Sequence, residues 1–132
     1  MTGVCGGNGR RAYAMRSYLE SVLLASCPGF AEEWAMLRAT YPPDEPPSAA
    51  AFLGALRAHV HQRLTEGRVA EVARLLHTLE RVLTEADPIL RDLLEDTLIV
   101  PLAAACAATA IDPRLVLPHL GPRTRAAWER GG

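Results

Sequence analysis

Six apolar residues, Val69, Val72, Leu76, Leu79, Val82 and Leu83, recur three or four positions apart with polar and charged residues between them. That spacing matches the 3.6-residue turn and puts all six on one face, so this stretch reads as an amphipathic helix. A stripe of this length has to be covered, and the rest of the chain offers partners of the same kind. Met15, Tyr18, Leu19, Val22 and Leu23 repeat the period upstream, as do Phe52, Leu56, Val60 and Leu64. No run alternates β-branched and polar residues around a hairpin turn, so no sheet is expected. The expected fold class is all-α.

Punctuation divides the helices. Cys27-Pro28-Gly29 closes the first, and a shorter one is expected from about Phe30 to Thr40, turning Trp34 and Leu37 inward. The proline-rich connector 41–47 joins no helix readily. Ser48 then caps a long helix that Gly67 stops. Asp87-Pro88 is a further start, an N-cap aspartate with proline at the first helical position. Pro101 should kink or break the helix so begun, and PLAAACAATA continues as a small-residue helix. Asp112-Pro113 is another start, and Gly121-Pro122 precedes a last short helix ending at Gly131. Short turns force neighbours to run antiparallel. The expectation is a single domain over residues 12–132, a compact array of about five to seven helices stacked as antiparallel hairpins and helical-repeat-like. Residues 1–11, with four glycines and no apolar period, read as a flexible tail.

A chain of 132 residues suits one core. Its net charge of −1 excludes a global field that would steer it to nucleic acid or membrane. All fourteen basic residues are arginine, as GC-rich bacterial coding would produce. Cys5, Cys27 and Cys106 are odd in number and widely spaced, which is no disulfide framework and suits a reducing cytoplasm. Leu24-Ala25-Ser26-Cys27 resembles a lipoprotein cleavage site, but the apolar run before it is short and holds Glu20, so it is not read as a signal. No apolar run reaches the ~20 residues of a membrane span.

Catalytic groupings are sparse. His59 and His61 stand two apart on a helix and point to different sides, while His77 and His119 read as rim residues. All four histidines are expected at the surface or rim. No Cys/His spacing suggests a metal, and no motif calls for a cofactor. Gly6-Gly7-Asn8-Gly9 lacks the strand and lysine of a phosphate loop, and no serine sits in a nucleophile elbow. The chain reads as a binding protein rather than an enzyme. Arginines at its ends make only a weak case for nucleic acid.

The stretch from Glu85 to Pro101 carries the functional expectation. Set on a wheel from Pro88, Leu90, Leu93, Leu94 and Thr97 form a core arc. Asp92, Glu95, Asp96 and Ile99 fall at i, i+3, i+4 and i+7 on the opposite one. Glu85 and Asp87 add charge at the helix start, where the dipole favours it. The expected partner-binding site is therefore Glu85, Asp87, Asp92, Glu95, Asp96 and Ile99: an apolar anchor beside an acidic strip, suited to a basic protein.

CPGFAEEW, LLHTLERVLTEADPILRDLLEDTLIVPL and the closing LGPRTRAAWE together resemble a small all-helical bacterial family. The likeness is firmest at Leu79-Glu80 with Asp87, and at Leu120-Gly121-Pro122 with Arg125 and Trp128. Pro101 departs from it, since members tend to carry an acid there. The resemblance implies a non-enzymatic domain of the kind met as immunity proteins in polymorphic toxin loci. Its partner would be a cognate toxin whose active or substrate-binding surface it occludes. The alternative is a helical scaffold or regulatory subunit, with a second copy of itself as one candidate partner. In LGPRTRAAWE, Trp128 would fold back to seal the array, with Arg125 either pairing to an acid such as Glu80 or lying over the ring.

Overall fold

The computed structural model describes residues 2–132, with side chains described from Ala14 onward. The tail expected at residues 1–11 lies outside the part whose side chains are described. Seven α-helices follow in order: α1 (Thr2–Ser26), α2 (Ala31–Arg38), α3 (Ala49–Thr65), α4 (Val69–Glu85), α5 (Pro88–Leu94), α6 (Val100–Ala108) and α7 (Pro122–Gly131). A π-helical turn, Glu95–Ile99, joins α5 to α6. No strand occurs among the described residues. None of their helices is long and apolar enough to cross a membrane.

The expected caps form where the residue chemistry placed them. Ser48 Oγ accepts from the Ala51 amide at 3.1 Å, and Asp87 Oδ1 accepts from the Leu90 amide at 2.8 Å. Each removes one of the unpaired donors at a helix start. Gly67 takes φ 74°, and the amides of Gly67 and Arg68 donate to Leu64 and Arg63 carbonyls at 3.0 and 2.9 Å. That paired closure turns α3 back onto α4 as an antiparallel hairpin. The same closure ends α6, where the Ala110 and Ile111 amides donate to Ala107 and Cys106. There the left-handed position is Ala110, at φ 56°. Left-handed backbone costs a non-glycine residue about 1–2 kcal/mol, part of which glycine returns as unfolded-chain entropy. Ala110→Gly should therefore raise the stability by about 0.5–1 kcal/mol, read as a higher denaturation midpoint at unchanged m-value.

α1, α3, α4, α6 and α7 surround one core built on Leu19, Leu23, Phe52, Leu56, Leu76, Leu79, Leu83 and Leu98. An aromatic group sits at its end under α2. Phe30 and Phe52 ring centres lie 6.0 Å apart, and Trp34 meets Phe52 edge-on at 5.0 Å. α2 is anchored by Trp34 alone, so Leu37, expected inside, is 40% exposed at the edge of the array. His59 also departs from expectation. It is 3% exposed, not a rim residue, because it lies on the α3 stripe that continues Phe52 and Leu56 and packs against Phe30, with ring centres 5.1 Å apart. After Asp112-Pro113 only two short 3-10 turns form, Pro113–Leu115 and Leu117–His119. Pro118 follows too soon for an α-helix to continue.

α7 is seated by a carboxylate from another helix. Glu80 of α4 accepts from the Thr124 amide at 2.9 Å, the Thr124 hydroxyl at 2.8 Å and the Arg123 amide at 3.3 Å. Gly121 supplies no cap of its own, so Glu80 serves the α7 N-terminus in trans. A Cβ on Gly121 would fall on the Glu80 side chain. Partial burial of Glu80 works the other way, yet the bonds from Thr124 and Arg123 hold its carboxyl below the usual range. Of the two arrangements considered for Arg125, neither is its hydrogen bond: Arg125 Nη2 donates to the Leu117 carbonyl at 3.0 Å. Trp128 packs, half-buried, against the core.

Candidate docking face

The residues singled out on the segment from Glu85 to Ile99 do not all share one surface. Glu85, Asp87, Asp92 and Asp96 are exposed. Among the described residues no cation pairs with Glu85, Asp92 or Asp96, and Asp87 is engaged only as the α5 cap. Glu95 differs. Its Oε1 accepts from Arg130 Nη2 of α7 at 2.6 Å, which ties it to the helix packing. Ile99 is the clear correction: it is 1% exposed and part of the core.

The π turn explains the change of face. An i→i−5 turn advances each residue by less than the 100° of an α-helix, so five such residues lag by roughly several tens of degrees. The wheel that put Ile99 outside assumed α geometry throughout. The cause of the turn is Pro101, which stands one residue into α6. In an α-helix its ring would meet the carbonyl of Thr97. Widening the preceding turn relieves that clash, and the Val100 amide donates to Glu95 in the i→i−5 manner. Pro101 thus neither breaks the chain's course nor leaves it regular.

The exposed apolar residue on this face is Ile89, which is 59% exposed. It stands in the first turn of α5, three residues before Asp92 and four after Glu85. The site is therefore an isoleucine among four unpaired or cap-only carboxylates, smaller at its far end than the wheel suggested. The signal for Ile89 was in the sequence: it falls outside the arc of Leu90, Leu93 and Leu94.

A family model described as "Domain of unknown function (DUF7674)" matches residues 21–131, most of the chain. The chain belongs to this family. The match runs from within α1 to the end of α7, so this DUF7674 domain includes both the α5 face and the Glu80-capped closure. No curated protein and no solved structure matches it. In this DUF7674 domain the described thiols are poor nucleophiles. Cys27 is pushed up to about 12, by burial first and then by the charge and hydrogen bond of Glu71, and burial pushes Cys106 up to about 11.

Proposed function

We propose that this domain works by binding a basic protein on the α5 face, without catalysing a reaction itself. Its specific role in this reading is that of a bacterial immunity protein, neutralising a cognate toxin by covering the toxin's active or substrate-binding surface. The observation that carries the reading is Ile89, exposed on α5 near Glu85, Asp87, Asp92 and Asp96, none of which makes an ion pair among the described residues; the one arginine beside them, Arg91, donates to the Ala86 carbonyl instead. Such an arrangement repels itself in the free protein and is relieved by guanidinium or ammonium groups from a partner. Charge would steer the encounter, and desolvation around Ile89 would hold the complex. The resemblance of LLHTLERVLTEADPILRDLLEDTLIVPL and LGPRTRAAWE to a small all-helical family of the kind met as immunity proteins supports the choice of partner. Reduced, buried cysteines suit the cytoplasm as the place of action.

The test starts with affinity capture from the native host, seeking one stoichiometric basic protein encoded beside this gene. Against that partner, Asp92→Arg combined with Asp96→Arg should weaken binding by more than about 2 kcal/mol, roughly 30-fold, with helicity unchanged. Full protection by the folded double variant removes the α5 face from the mechanism. A second reading, a scaffold or regulatory subunit that pairs with itself, is favoured by a separate apolar set. Tyr18, Met36, Leu37 and Tyr41 are exposed on and around α1 and α2. That reading predicts a dimer in the absence of any other protein, broken by Met36→Glu and untouched by the α5 charge reversal.

A further inference from the structure

Cys27, His59 and Glu71 are far apart in sequence and belong to three different places in the fold. Cys27 closes α1, His59 lies in α3, and Glu71 stands in the first turn of α4. Packing of these three helices brings Cys27 Sγ, a ring nitrogen of His59 and a carboxylate oxygen of Glu71 within 4.8 Å of one another. We propose that these three side chains form a binding site for zinc or a similar borderline-soft divalent ion.

Four observations support this. The donor set is a thiol, an imidazole and a carboxylate, the combination that zinc takes in preference to magnesium or calcium. Two of its members, Cys27 and His59, are almost wholly buried, at 1% and 3% exposure, so the ligand atoms are held by packing rather than by mobile surface chains. His59 has an unfilled requirement: Nε2 is buried and has no hydrogen-bond partner among the described residues. A buried, unsatisfied ring nitrogen is costly and is a feature that an ion would resolve. The other nitrogen, Nδ1, lies 3.7 Å from Glu33 Oε2, a carboxylate close enough to help orient the ring once it is engaged. Finally, Glu71 is already aimed. The Gly29 amide donates to its Oε1 at 2.7 Å, which fixes the carboxylate over Cys27.

Around a tetrahedral zinc, such ligand atoms stand roughly 3.3–3.8 Å apart. From within 4.8 Å, the cluster would close by up to about 1.5 Å to reach that geometry, a movement within side-chain adjustment. Charge also balances, since a thiolate and a carboxylate together neutralise a divalent cation. Three protein ligands leave one position for water or another small ligand. Glu71 also borders a cleft of about 420 Å³ whose rim carries Arg63, Arg68 and Arg74. An exogenous ligand that reaches the ion from that cleft would pass these arginines, which favour an anion there over a bare cation.

The first experiment uses the full chain with Cys5→Ser and Cys106→Ser, which leaves Cys27 as its one thiol. After treatment with a chelator and gel filtration, it is titrated with cobalt(II), whose spectrum reports both thiolate ligation and tetrahedral geometry. One equivalent should bind, with a thiolate-to-cobalt charge-transfer band and tetrahedral d–d bands. Zinc should displace the cobalt, and magnesium should not. Removing the sulfur while keeping the side chain's shape, Cys27→Ser, should abolish the charge-transfer band. Two further variants cover the case in which Cys27→Ser does not fold. Glu71→Gln removes a ligand on the more accessible side. Gly29→Ala places a Cβ 2.7 Å from Glu71 Oε1 and so displaces the carboxylate. Each should weaken cobalt binding at least 100-fold, about the upper range seen when metal-site support is lost, while helicity persists. No charge-transfer band in the parent protein, a band that survives Cys27→Ser, or unchanged affinity in both Glu71→Gln and Gly29→Ala overturns the site. None of these outcomes bears on the α5 face, so the two readings stand or fall separately.

Discussion

Replacing Glu80 with alanine should lower the stability by about 2–3 kcal/mol, the expected cost of losing charge-assisted hydrogen bonds at a helix N-terminus and leaving their donors unpaired. The effect is larger than for an ordinary cap because the carboxylate comes from α4 and joins two helices: it holds α7, whose Ala127 is buried in the core, against the array. Gly121→Ala should destabilise by a similar amount by a different route, since its Cβ needs the space that the Glu80 side chain fills. The two changes should not add. Once Glu80 is alanine the collision is gone, and Gly121→Ala should then cost less than about 1 kcal/mol, a coupling that a double-mutant cycle reads directly. Additive losses would mean that Gly121 is required for some reason other than Glu80. The pH dependence has a definite sign. The folded-state carboxyl of Glu80 lies below its ordinary value of 4.5, so the unfolded chain binds this proton more readily. Its contribution is complete above the ordinary value and is lost as pH falls through the lower, folded one. The stability gap between the parent chain and Glu80→Gln should accordingly shrink in that acid window and stay constant from pH 6 to pH 8.

That carboxylate also shows how much could be read from letters alone. Helix periods, the Ser48 and Asp87 caps, the Gly67 stop and the Gly121-Pro122 start depend on residues within about four positions of each other, and local chemistry was enough to place them. Leu79-Glu80 and Leu120-Gly121-Pro122 stood out as separate segments of one resemblance, but nothing local joined them. Their connection is a contact across 44 positions. The Cys27–His59–Glu71 cluster was hidden for the same reason: metal-ligand spacings are recognisable when one turn or hairpin supplies the ligands, and here three helices do. His59 was placed at the rim with the other histidines, whereas its spacing from Phe52 and Leu56 puts it on the buried stripe of α3. Ala110 was missed because a left-handed closure normally announces itself with glycine or asparagine. The docking face was half legible. Charge at Glu85, Asp87, Asp92 and Asp96 is a property of the letters, but the apolar member was assigned by a wheel that assumed 100° per residue through Glu95–Ile99, the turn ahead of Pro101.

The distinction between Ile89 and Ile99 gives the sharpest test of that correction. Ile99→Asp should cost more than about 4 kcal/mol, enough to unfold a domain of ordinary stability, because it puts a carboxylate into a site with 1% exposure and no partner while removing a packed side chain. Ile89→Asp should change stability by no more than about 0.5 kcal/mol, since that side chain is mostly in water already. The wheel with α geometry throughout predicts the reverse order of tolerance at position 99. It makes Ile99 an exposed anchor whose replacement leaves folding intact and removes only binding. Thermal and denaturant melts of the two variants decide between them without any partner in hand. A cooperative, native-like melt for Ile99→Asp would return that residue to the surface and with it the longer acidic face. Loss of the fold by Ile99→Asp together with a native melt for Ile89→Asp leaves Ile89 as the apolar centre of the face. In that case Ile89→Asp becomes the cleanest binding variant, because it removes the anchor and adds a charge of the sign already present, so any weakening toward a basic partner has to come from lost desolvated contact rather than from lost attraction.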